Sequence, residues 1–98
     1  MQITDVKVRK VFFDESPMKA IVSVTFDNCF ALHDVKVINS HDKLFVVMPS
    51  RRAADGTYRD IAHPTNAEFR AEIESAILSQ YKIALENTPS ETAEHEED

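Results

Sequence analysis

Ninety-eight residues, 43% apolar and 29% charged, describe one small globular domain. No apolar run is long enough to cross a bilayer, and a single cysteine, Cys29, excludes an internal disulfide framework and fits a reducing compartment. The net charge of −6 is concentrated in residues 86–98, ENTPSETAEHEED, where Glu86, Glu91, Glu94, Glu96, Glu97 and Asp98 stand without a lysine or arginine.

Removing those six from the 17 acids leaves residues 1–85 with 11 acidic and 11 basic residues, a neutral body. The tail has too little apolar surface to order itself, so the chain divides into a folded domain at 1–85 and a disordered acidic tail at 86–98. That tail serves either solubility or competition with an anionic ligand for a basic surface. The opening MQITDVKVRK lacks the apolar core of a signal peptide, and the expected location is the cytoplasm. A monomer of this size hides only roughly 60–65% of its unfolded surface, so a partner subunit would help it.

The chain opens with QITDVKVRKVFF (2–13), rich in β-branched residues and read as a strand. Its alternation fails near Lys10, which predicts a bulge or register change. DESP (14–17) is a turn signal. KAIVSVTF (19–26) places Ala20, Val22, Val24 and Phe26 on one face and Ser23, Thr25 and Asp27 on the other, the pattern of a half-buried antiparallel strand. FALHDVKVI (30–38) is a third strand, NSHD (39–42) a turn, and KLFVVM (43–48), a continuous apolar run after its lysine, a fourth strand expected to be central and well covered. TYRDIA (57–62) is a short fifth. Consecutive strands with short turns predict an α+β fold: an antiparallel meander of about five strands with one long C-terminal helix packed on it.

The helix is expected over 66–85, with Phe69, Ile73, Ala76, Ile77, Gln80, Ile83 and Ala84 on one side. Thr65 and Glu68 have capping-box spacing, with Asn66 as a competing N-cap. Glu68, Glu72 and Glu74 in the early turns and Lys82 toward the end suit the helix dipole. Ala67, Ala71, Leu78 and Leu85 make a thinner second stripe. It reads either as scattered surface apolars or as a dimer contact through Leu78 and Leu85.

Catalytic signatures are scarce. There is no G-x-S-x-G, and Gly56 is the one glycine available to any phosphate loop. Asp14 and Glu15 lie in a turn without apolar surroundings to raise a carboxyl pKa. His33, His41, His63, His95 and Cys29 lack close-paired metal-ligand spacing, so no metal or other cofactor is expected. His33 reads as a strand histidine bonded to backbone, and Cys29 as a small buried hydrophobe. One sheet and one helix offer little depth for a small-molecule substrate, and the chain reads as a non-enzyme.

The basic residues carry the stronger signal. Arg51 and Arg52 lie in a connection with no acid before Asp55, Arg59 follows the Asp55-Gly56 turn, and Lys7, Arg9 and Lys10 mark the first strand. Arginine presents a planar fork to phosphate oxygens, and Tyr58 between Thr57 and Arg59 could stack on a base. His63 with the helix N-terminus beyond it forms a further anion site. The plainer alternative is a solvated hairpin tip whose arginines pair with Asp55 and Asp60. Ile61 and Pro64 are expected to set up helix docking. The helix itself offers Arg70 and Lys82 against Glu68, Glu72 and Glu74, which excludes a groove-reading recognition helix.

The stretch LFVVMPSRRAADGTYRDIAHPTN (44–66), with MQITDVKVRK, MKAIVSVTFD (18–27) and FALHDVKVI, closely resembles the stage V sporulation protein G (SpoVG) septation-regulator family over residues 1–85. Thr65 stands where that pattern usually has isoleucine, which removes an apolar contact and adds a capping hydroxyl. The resemblance implies a dimeric bacterial regulator of septation and sporulation that binds specific DNA sites, and RNA in some members. Arg51 and Arg52 are the motif's two basic residues. A protein-interaction module of the septation machinery, without direct nucleic-acid contact, is the alternative function.

Overall fold

The computed structural model describes residues 1–87. The expected tail falls outside these residues, except Glu86 and Asn87, which belong to the last turn of the helix. The elements in chain order are β1 (Ile3–Val11), β2 (Met18–Phe26), β3 (Phe30–Ser40), β4 (Lys43–Val47), β5 (Ser50–Arg52), β6 (Tyr58–Asp60) and α1 (Ala67–Asn87). The first four form one antiparallel sheet in the order β1-β2-β3-β4, and β5 and β6 form a separate ribbon. The α+β class, the antiparallel sheet and the C-terminal helix agree with the sequence reading.

The turns follow from local chemistry. Asp14 Oδ1 accepts the N–H of Ser16 at 2.9 Å, and Ser16 Oγ accepts that of Met18 at 3.2 Å, closing the first connection with short polar side chains. Asp27 and Asn28, then His41 and Asp42, take positive φ at the next two hairpins. Paired positive φ matches the right-handed twist of flanking strands, and Asp and Asn tolerate it better than most residues. Strand pairing continues to Ser40 opposite Lys43, so the third turn is confined to His41 and Asp42.

Alternation assigns the faces. Ala20, Val22, Val24 and Phe26 point inward with Val35, Val37, Val46 and Met48, and all are buried. The helix covers this face with Ile73, Ile77 and Tyr81, while Phe69, Leu78 and Ala84 pack half-buried at its flanks. The register breaks between Val8 and Lys10 as the lost alternation predicts, and Arg9 is the extra residue.

Four expectations change here. β4 is an edge strand and not a central, well-covered one: it ends the sheet order, and alternation turns Phe45 and Val47 outward to solvent while Val46 stays buried. The fifth strand does not extend the main sheet, because β6 pairs with β5 alone. Buried Pro49 follows β4; lacking an N–H and fixed in φ, it interrupts the ladder and sends the chain into the ribbon. The buried helix stripe runs through Tyr81, whereas Gln80 and Ile83 are exposed. An i, i+4 ridge of Phe69, Ile73, Ile77 and Tyr81 drifts around the helix in a way that suits a twisted sheet. Cys29 is exposed, held in the β2–β3 turn by its N–H bond to Phe26 O at 3.0 Å.

The helix start is also decided. Asn66 Oδ1 accepts the Phe69 N–H at 2.7 Å, making Asn66 the N-cap in preference to Thr65. No helix among the described residues is long and apolar enough to cross a membrane.

Candidate nucleic-acid interface

The ribbon is built by its turn. Ala53 N–H donates to Thr57 O at 2.7 Å, and Gly56 N–H to Ala53 O at 3.0 Å. Gly56 has φ +91°, a conformation that side chains resist and glycine accepts freely. A tight turn followed by such a glycine is a common closure for a hairpin. At the other end, Ile61 N–H donates to Pro49 O at 2.7 Å, joining the ribbon to the exit from β4.

Register then distributes the side chains. Arg51 stands opposite Arg59, and Arg52 opposite Tyr58. Residues directly across an antiparallel pair share a face, so one side of the ribbon carries two arginines and the other an arginine beside a tyrosine. All four are exposed, Tyr58 at 71%.

The ion-paired alternative does not form. Among the described residues the salt bridge is Arg70 Nη1 to Glu74 Oε2 at 3.9 Å, on the helix. Asp55 is occupied otherwise: its Oδ1 accepts the Thr57 hydroxyl at 2.7 Å and the Thr57 N–H at 3.1 Å. Those bonds, the hydroxyl first, hold its carboxyl below the ordinary value of 3.8. Asp55 is therefore a turn-former, and the ribbon arginines keep their charge for solvent or a ligand.

Lys7, Arg9 and Lys10 lie elsewhere, on the sheet face opposite the helix. Lys7 pairs with Ser23 and Lys10 with Ile21, both outward positions. Arg9 Nε donates to Ser23 Oγ at 3.3 Å, so the bulge leaves neighbouring cations facing the same way. Ser23 Oγ also meets His33 Nδ1 at 2.8 Å. The partner of His33 is thus a serine side chain and not backbone as expected. Ser23 is buried and its oxygen already accepts a charged donor, which suits it to positioning Arg9 and not to nucleophilic attack. Lys10 Nζ sits 5.4 Å from the Phe12 ring centroid, a cation–π contact.

The remaining residues separate further. His63 is exposed and its Nδ1–H donates to Pro64 O at 3.0 Å, a bond that fixes the tautomer because a carbonyl can only accept. The helix N-terminus beside it opens on an apolar hollow of about 300 Å³ lined by Phe26, Phe30, Leu32, Met48 and Phe69, with no arginine or lysine. Ile61 is 65% exposed and does not dock the helix. Leu78 packs half-buried on the protein's own core, while Leu85 is exposed. No cluster of three His, Cys, Asp or Glu side chains able to hold a metal ion occurs among the described residues.

Lys36 was not singled out by the sequence. Its signal was available: it alternates with Val35 and Val37 and so had to face outward from a covered strand.

Comparison with known proteins fits this geometry into a family. The SpoVG family model matches residues 1–83. A relative from Acetivibrio thermocellus is 60% identical over 82 residues, covering 84% of this chain and 86% of its own. One from Clostridioides difficile is 56% identical over 85 residues, covering 87% and 91%. One from Clostridium acetobutylicum is 54% identical over 96 residues, covering 96% and 100%. All three carry the name septation protein SpoVG, with the septation assignment provisional in each. Matched from its first strand into the last turns of its helix, the chain belongs to the SpoVG family.

Proposed function

We propose that this protein is a regulator of division septation and sporulation that acts as a homodimer, binding specific DNA sites, and also RNA, through the β5–β6 ribbon. The septation role follows the names of its relatives. The observation that supports nucleic-acid binding is the ribbon itself: Arg51, Arg52 and Arg59 are exposed, without an acidic partner among the described residues, beside exposed Tyr58. An arginine fork matches phosphate oxygens and keeps its charge at all physiological pH. Two such ribbons in a dimer would couple two weak sites into one stronger one.

The test is binding to sequences selected from random DNA and RNA pools, measured across a salt series. Affinity should fall linearly on a log–log plot, and alanine at Arg51 and Arg52 should reduce the slope on duplex DNA by roughly 1.8 for each ribbon of the dimer that engages, about 0.9 per lost phosphate contact. An unchanged slope in a folded double variant removes the ribbon from the interface. The second reading, a protein-interaction module of the septation machinery, draws on the exposed Ile83 and Leu85 late in the helix. It predicts partner capture that survives nuclease and is lost on Leu85→Ala.

A further inference from the structure

The helix covers one face of the main sheet, and nothing among the described residues covers the other. Cross-strand register sets out what that outer face presents. Lys10, Ile21, Lys36 and Val47 follow one another across all four strands. Toward the β3–β4 turn come Ile38 opposite Phe45, then Ser40 opposite Lys43. In the other direction lie Lys7 opposite Ser23 and Asp5 opposite Thr25. Lys7, Arg9, Lys10, Lys36 and Lys43 thus share a surface with Asp5, while Asp34 occupies the bulge beside His33. Phe45 is 48% exposed on that surface and Val47 is exposed with it.

We propose that this outer sheet face is a second nucleic-acid surface, separate from the ribbon, that takes single strands. The inference rests on the nucleic-acid reading above and adds a division of labour to it. Edge lysines on a sheet often serve only to block aggregation. Lys36 lies on interior strand β3, where that explanation does not apply. A second copy of this chain is a poor occupant, because a two-fold contact through this face would set the same excess of cations against itself. A polyanion complements it. A broad, exposed sheet cannot enter a duplex groove as a two-stranded ribbon can, but it can receive unpaired bases on an exposed aromatic while cations track the backbone. Phe45 is the stacking residue. Arg9, positioned by Ser23 and His33 over a shallow hollow of about 100 Å³ that Lys7 also lines, is a backbone contact.

The experiment uses the full chain and two fluorescein-labelled probes, an oligouridylate of about 12 nucleotides, within the span of known single-strand sites, and a random-sequence DNA duplex. Phe45→Ala should weaken oligouridylate binding roughly fivefold or more, as loss of one stacked base does, and leave duplex affinity within about twofold. Phe45→Trp should restore it and Phe45→Leu should not, which separates stacking from simple packing. Lys7→Ala with Lys36→Ala should lower the single-strand salt slope by roughly 1.4, about 0.7 per contact. Wild-type-like oligouridylate binding by these folded variants overturns the sheet-face inference while leaving the ribbon reading intact. Failure of the wild type to bind either probe removes both.

Discussion

Arg51 and Arg59 are direct cross-strand neighbours in the β5–β6 ribbon. Like charges in that position destabilise a hairpin, where opposite charges would contribute roughly 0.2–1 kcal/mol. The ribbon therefore holds a mildly unfavourable pair in a segment with few other contacts. A binding site often has this character, trading local stability for charge presented to a ligand.

Arg51→Glu should reverse that trade. It places a carboxylate opposite Arg59 and should strengthen ribbon pairing by about 0.5 kcal/mol at low salt. Amide exchange of the ribbon N–H groups should slow, and the difference should shrink as added salt screens the pair. Nucleic-acid affinity should fall in the same variant. Faster ribbon exchange would contradict the register-based account.

The turn should respond to acid. Asp55 has its carboxyl pKa held below 3.8 by the Thr57 hydroxyl and N–H, so these bonds favour the ionised form. A lowered folded-state pKa contributes stability above the unfolded value, lost as pH falls through the folded one. Ribbon protection should hold near neutrality and decline below about pH 4. Asp55→Asn keeps an acceptor oxygen and should flatten that decline, read by exchange at the Ala53 and Gly56 amides.

Removing the helix cap has a defined cost. Asn66→Ala frees the Phe69 N–H from its 2.7 Å partner, and losses of this kind run at about 1 kcal/mol. Thermal denaturation should show it, while Thr65→Ala should have a smaller effect. A larger loss at Thr65 would assign the cap to the wrong residue.

The core should be far less forgiving than either site. Ile77 is fully buried between the helix and the sheet, and Ile77→Ala should cost roughly 2–5 kcal/mol. Exposed Ile83 lies six residues further along the same helix, yet Ile83→Ala should change stability by no more than about 0.5 kcal/mol. Equal losses at the two positions would mean that Ile83 is covered in the folded protein.

Local chemistry was enough to write much of this fold from the residues. β-branched alternation marked β1, β2 and β3, Asp55-Gly56 marked the ribbon turn, and the 3.6-residue period after Pro64 marked the helix. Each depends on neighbours within a few positions, so each is present in the linear chain. The basicity of Arg51, Arg52 and Arg59 was equally plain. Tertiary structure alone decided what those charges meet. Asp55 is four residues from Arg51 and could have neutralised the ribbon, but the turn commits its oxygen to Thr57. Lys10 and Lys36 are remote in the chain, yet the bulge at Arg9 and the register through Ile21 bring them to one surface. Pairing partners and side-chain faces depend on register between distant strands, which no local pattern encodes.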